Sequence, residues 1–196
     1  MGKPLFVLAS KSPRRKELLK NIGISAEIVP ASIDESSVTY RSPQELVTRL
    51  AFLKATDVAR SFGKNTYVIG ADTVVSLDGK IFGKPRDIED ARRMLAALSG
   101  KTHSVYTGYC VVCPKSGAAV SKYEETKVTF RPMSEDEINA YIKTREPMDK
   151  AGAYGIQGKG SIFVEKIEGD YFNVVGLPVC ALGKLLKDEF SVSLIS

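Results

Sequence analysis

Tryptophan is missing from the chain, histidine occurs once, and cysteine three times. That scarcity argues against a structural zinc centre, which needs four clustered Cys and His ligands. Cys110 and Cys113 form a C-x-x-C, but inside an expected strand, where residues three apart point to opposite faces. No helical pattern follows them, so a redox motif is not indicated either. With Cys180 distant, three reduced and mostly buried thiols fit a cytosolic protein. No apolar run approaches the ~18 residues of a membrane span, and the short apolar stretch near the start is too brief for a signal peptide. A cytoplasmic location with no membrane partner is expected.

Other absences are of motifs. There is no G-x-x-x-x-G-K-[ST], so a P-loop is out, and no G-x-G-x-x-G after a strand. One histidine and no G-x-S-x-G leave little room for a Ser-His-Asp hydrolase. Net charge is +5 with a pI near 9.0, which suits an anionic ligand. The Lys and Arg residues are scattered, without a dense basic run, so nucleic acid is a weakly supported partner.

What is present is ordinary globular composition, 43% hydrophobic and 26% charged, over 196 residues. That length builds one large domain or two small lobes sharing a core. Strands are expected at 5–9, 26–30, 67–77, 81–82, 105–113, 120–131 and 161–166. Helices are expected from Pro13 (capped by Ser12, stopped by Gly23), over 43–62 with a Ser42/Glu45 capping box, and over 88–98 between Asp87 and Gly100. A fourth, boxed by Ser134 and Glu137, ends near Thr144, and a last one starts near Pro178. Asp78-Gly79 reads as a tight turn. The two long strands look like a hairpin among interleaved helices and strands, which predicts a mixed sheet in an α/β fold.

Several residues fit phosphate chemistry. Ser10-Lys11-Ser12-Pro13-Arg14-Arg15 lies where a strand feeds a helix, so hydroxyls, arginines and free N–H groups converge; a plain helix cap fits equally well. Asp72 follows apolar strand residues, where a carboxylate needs a cation or a proton donor. Asp34 and Glu35, in an irregular segment, could add oxygen ligands, and hard oxygens beside phosphate favour Mg²⁺ or Mn²⁺. Lys54 on the second helix and Lys84 in Gly83-Lys84-Pro85 read either as site residues or as snorkelling surface lysines. The small residues of 151–158 would let backbone approach a ligand closely.

The segments 9–15, Gly70-Ala71-Asp72-Thr73-Val74-Val75, Gly83-Lys84-Pro85, 98–103 and 149–158, in this order, resemble the Maf nucleotide pyrophosphatases from about Leu5 to Leu186. The resemblance implies a single Maf-like domain over 1–196. Its fold would be an elongated mixed β-sheet with flanking helices, two lobes around a central cleft, as in the inosine triphosphate pyrophosphatases. It also implies a nucleoside triphosphate substrate, a divalent cation and a homodimer. Asp72 would correspond to the family's proton acceptor. Glu35, Lys54 and Lys84 would line its cleft; together with the residue reading, Glu35 and Asp72 are expected on the metal and Ser10, Arg14 and Arg15 on the substrate. Arg14, Thr73 and Gln157 would be the positions that sort substrates, in the pattern of the branch acting on dTTP and UTP. Arg14 suits phosphate by its place at a helix start and base choice by the family correspondence. A nucleotide-binding regulator of cell division without turnover is the rival reading, against which the intact Asp72, Lys54 and Lys84 count.

Overall fold

The computed structural model describes residues 4–63 and 65–195. Both ends of the single domain expected over 1–196 lie outside the described residues. Strand β1 (Leu5–Leu8) leads into helix α1 (Pro13–Asn21), whose Ser12 cap and Pro13 start are as the sequence indicates. Strand β2 (Ala26–Ile28) is shorter than expected. Helix α2 (Pro43–Ala59) precedes the long strand β3 (Thr66–Leu77) and the short β4 (Lys80–Phe82). Asp78 (φ 50°) and Gly79 (φ 77°) make the turn between them. Helix α3 (Ile88–Leu98) leads to β5 (Thr102–Cys113) and β6 (Ala118–Phe130). Helix α4 (Glu135–Lys143), strand β7 (Val164–Glu168) and helices α5 (Tyr171–Val175) and α6 (Val179–Phe190) complete the chain.

Among the described residues a seven-stranded sheet has the order β2-β1-β3-β5-β6-β7, with β4 on β3. β1 runs parallel to β2 and β3, whereas β4 on β3 and β7 on β6 are antiparallel. The sheet is mixed, with helices in an α/β arrangement, as the pattern of elements predicts.

Two expectations need correcting. The Ser42 hydroxyl accepts from the Glu45 amide, but the Glu45 carboxylate turns to the Arg41 amide (2.8 Å), so the box at α2 is replaced by a looser clamp. At α4 both halves form, from Glu137 N to Ser134 Oγ and from Ser134 N to Glu137 Oε2. The strand expected at 161–166 begins only at Val164, because Gly158–Phe163 winds as a 3-10 segment. α5, which has no counterpart among the expected helices, is a short turn of five residues started by the Asp170 carboxylate accepting from the Phe172 amide. Of the thiols, Cys110 and Cys113 are buried and Cys180 is exposed.

The chain forms two compact units. The first lies within Met1–Asp72, Thr107–Glu124 and Gly176–Ser196, the second within Thr73–Tyr106 and Glu125–Val175. Each has its own core. In the first, Val7, Val68, Ala51, Ala55, Val58 and Cys110 pack together. In the second, Leu95, Leu98, Val128, Phe130, Ile142, Tyr154 and Phe163 do so. Full burial of the Val, Leu, Ile and Phe side chains among these is worth about 1.5–3 kcal/mol each.

Glycine decides how close α2 comes to the sheet. A Cβ at Gly70 of β3 would lie 2.2 Å from the Ala51 carbonyl oxygen, and one at Gly108 of β5 would lie 2.2 Å from that of Val47. Helix backbone therefore rests directly on strand backbone at two points.

Candidate active site

In the first unit, that close contact sets a charged cluster. Leu46, Leu50, Lys54 and Val58 recur every four residues on α2, so Lys54 stands in an apolar row and is buried. Gly70 and Asp72 are two apart on β3 and share a face. The Lys54 ammonium consequently meets the Asp72 carboxylate at 2.6 Å and that of Glu35 at 2.9 Å. Asp72 and Lys54 are largely enclosed, with side-chain exposures of 13% and 11%, and Glu35 is open at 56%. Glu35 begins a 3-10 turn, Glu35–Ser37, capped by Asp34, whose carboxylate accepts from the Ser36 amide and hydroxyl. Those hydrogen bonds hold the Asp34 carboxyl below its ordinary value. Asp34 thus shapes the turn, while Glu35 joins the lysine.

Ser10 lies just past β1 in the same unit, where the Ala9 amide still donates to the Ile69 carbonyl. The Ser10 hydroxyl accepts from the Ser12 amide (3.2 Å) and from Arg15 Nη1 (3.1 Å). Arg15 Nε donates to the Gly176 carbonyl at 2.8 Å. Burial pushes the Arg15 guanidinium down from its ordinary value, with Asp72 and Glu35 opposing and Arg14 reinforcing the shift. Arg14 and Arg15 are both half-buried, so neither is a freely solvated surface arginine. Ser10, Arg15, Lys54, Asp72 and Glu35 are brought into one electrostatic neighbourhood.

Thr73, Lys84 and Gln157 belong to the second unit. Thr73 is half-buried and Lys84 exposed. The turn at Lys84 is tied to the glycine-rich segment through Gly152 N donating to the Gly83 carbonyl. In that segment Gly152 (φ 68°) and Ala153 (φ 60°) are left-handed, and a Cβ at Gly152 would strike Val75 at 2.8 Å. Tyr154 meets the buried His103 Nε2 through its hydroxyl (2.8 Å), and both rings pack edge-on to Phe130. Burial pushes the imidazole down to about 4, offset only in part by the Lys101 backbone, so it is neutral. Gln157 itself is exposed.

No sequence signal marks Glu146 and Tyr141, which hold this segment. Glu146 Oε1 accepts from the Tyr141 hydroxyl (2.9 Å) and the Gly160 amide (3.1 Å), and Oε2 from the Lys159 amide (3.0 Å). The Tyr141 hydroxyl accepts from the Gly155 amide at 3.2 Å. Lys150 donates to the Glu146 carbonyl and to Asp149. The glycines expected to admit a ligand therefore also admit these supports: a Cβ at Gly158 would lie 2.9 Å from Glu146 Oε2. An acidic residue between a helix end and Pro147 reads as solvated, and no local signal reveals otherwise.

The sequence profile of the Maf-like protein family matches residues 5–189. The chain belongs to the Maf-like family. It is 55% identical over 196 residues to a dTTP/UTP pyrophosphatase of Acetivibrio thermocellus, covering 97% of each chain. It is 49% identical over 190 residues to one of Alkaliphilus oremlandii, covering 97% of this chain and 98% of that one. Among solved structures it is similar to the Ham1 protein of Staphylococcus aureus, with 15% identity, a TM-score of 0.47, and coverage of 81% of this chain and 79% of that chain.

Proposed function

We propose that this Maf-like protein is a nucleoside triphosphate pyrophosphatase that hydrolyses dTTP and UTP, and modified pyrimidine nucleotides of the same edge, to the monophosphate and pyrophosphate. The observation that carries the reading is the Lys54 ammonium held between Asp72 and Glu35 beside the Ser10–Arg15 helix start. The names of the relatives support the substrate pair.

Water attacks the α-phosphorus in line, the bond from that phosphorus to the bridging oxygen breaks, and pyrophosphate leaves. Asp72 orients the water and takes its proton. Lys54 and Arg15 bring positive charge to the phosphates. The carboxylates and Lys54 form a trio of net negative charge, and hard oxygen donors of this kind suit Mg²⁺ or Mn²⁺, which take one or two protein carboxylates and complete their shell with phosphate oxygens and water. Among the described residues no group of three or more His, Cys, Asp or Glu gathers. Asp72 and Glu35 would hold the cation, which supplies neutralisation of the triphosphate and of the departing pyrophosphate.

The roles of Thr73, Lys84 and Gln157 rest on the family correspondence. Lys84 adds charge for phosphate, and Thr73 and Gln157 select the base. A uracil or thymine edge presents acceptor, donor, acceptor, and a carboxamide pairs with one acceptor and the donor at once. Arg14 serves phosphate or base choice. The family reading also makes the enzyme one functional domain, cytoplasmic, and a homodimer of twice the 21.3 kDa chain mass.

The test is release of pyrophosphate from a panel of nucleoside triphosphates, with and without divalent metal. Turnover is expected to be fastest on UTP and dTTP, to stop on chelation, and to return with Mg²⁺ or Mn²⁺. No turnover at all would leave only the binding regulator. Full activity after exhaustive metal removal would remove the cation from the mechanism.

A further inference from the structure

The segment that carries Gln157 is anchored at both ends by one pair of side chains. On the near side, Gly155 N donates to the Tyr141 hydroxyl. On the far side, Lys159 N and Gly160 N donate to the two oxygens of Glu146. The phenol and the carboxylate are themselves bonded, at 2.9 Å. Gln157 lies between these anchors, exposed, and its side chain makes no capping bond to the 3-10 segment it precedes. Its position is therefore set by backbone tethers on either side.

The glycines fit that role. A Cβ at Gly160 would fall 2.5 Å from both the Tyr141 hydroxyl and the Gly155 carbonyl oxygen, and one at Gly155 would fall 2.8 Å from Lys150 Cε. A side chain at Gly160 would push the segment off its anchors, whereas one at Gly155 would displace the flexible end of Lys150. A carboxylate that accepts three hydrogen bonds cannot be matched by a neutral side chain of the same shape. An amide in its place would turn an NH₂ group toward an N–H donor. Reading a base edge by paired hydrogen bonds needs the reading group held to roughly 0.5 Å.

We infer that Glu146, through Tyr141, is a positioning residue that fixes the Gln157 segment and thereby sets pyrimidine selectivity. This rests on the base-reading role given to Gln157 above. Glu146 touches neither substrate nor metal in this scheme; it acts on the backbone that carries Gln157.

The experiment compares kcat/KM for UTP and CTP in Glu146→Gln, Tyr141→Phe and Gln157→Ala, and in each of the first two combined with Gln157→Ala. Glu146→Gln and Tyr141→Phe should each lower the UTP/CTP ratio about tenfold, the scale of one misplaced buried hydrogen bond. In the Gln157→Ala background neither should lower it further, as expected when two residues act through one contact. Tyr141→Phe, which removes a single hydroxyl, decides the matter where Glu146→Gln does not fold. An unchanged ratio in the folded variants, with Gln157→Ala lowering it, overturns the positioning role and leaves the base-reading assignment standing. A ratio that Gln157→Ala does not move overturns the base-reading assignment, and the positioning role with it.

Discussion

The charged cluster of the first unit and the glycine-rich segment of the second solve opposite problems. In the first, ionised side chains are held together by helix packing: Lys54 faces Asp72 because Gly70 lets α2 touch β3. In the second, a backbone is held in place by side chains: Glu146 and Tyr141 tie the amides of Gly155, Lys159 and Gly160. The electrostatics differ in the same sense. Around the segment, burial keeps His103 neutral and raises the Tyr141 and Tyr154 phenols above their ordinary range. Burial also draws the Glu146 carboxyl up, but the Gly160 and Lys159 amides, Tyr141 and Lys150 together hold it below its usual value. Charge opposes charge in the first region, whereas in the second one carboxylate, Glu146, holds backbone amides beside buried neutral rings.

The largest expected effect is on the first region. Asp72→Asn keeps the side-chain shape and removes the proposed base and the charge facing Lys54, so turnover should fall by about 10²–10⁴-fold with the fold retained. Steady-state pyrophosphate release together with circular dichroism checks this. Turnover at the parent rate would make Asp72 a structural partner of Lys54 and no more.

A pH titration probes the second region. Above pH 6.5 His103 is neutral in both folded and unfolded chains and contributes no pH dependence. Between 6.5 and about 4 the unfolded chain takes the proton first, so stability falls as pH falls; below about 4 the loss is complete. The full difference is about 3 kcal/mol. Denaturant midpoints of the parent and of His103→Gln should therefore diverge in slope across this window, and parallel curves would mean that the ring is accessible to protons in the folded state.

Gly70→Ala tests the contact that creates the first region. Its Cβ would meet the Ala51 carbonyl, so α2 must move outward, at a cost of about 1–3 kcal/mol. Both the melting temperature and turnover should drop, because Lys54 moves with the helix. A lower melting temperature with unaltered turnover would separate packing from site assembly.

The smallest effect belongs to Gln157→Glu. Replacing the amide donor with an acceptor should lower kcat/KM for UTP and dTTP about tenfold and improve the relative standing of CTP. Equal losses on every nucleotide would show that Gln157 supports its segment without reading the base.

Much of this was written locally. Ser12-Pro13, Asp87, Ser134/Glu137, Asp78-Gly79 and Gly100 act within a few residues of themselves, so caps and turns gave the starts and ends of α1, α3 and α4 and the β3–β4 turn. A place on the second helix and a place after apolar strand residues likewise made Lys54 and Asp72 candidates. Their meeting was not written locally. It depends on two glycines of different strands, Gly70 and Gly108, admitting one helix, and only Gly70 fell within a motif. The sequence by itself determined the caps, turns and helix faces, because hydrogen bonds and periodicity of short range decide them. Only the tertiary structure decided that Lys54 is buried between two carboxylates and that Glu146 holds the Gln157 segment, because those outcomes turn on what lies across the fold from each charge.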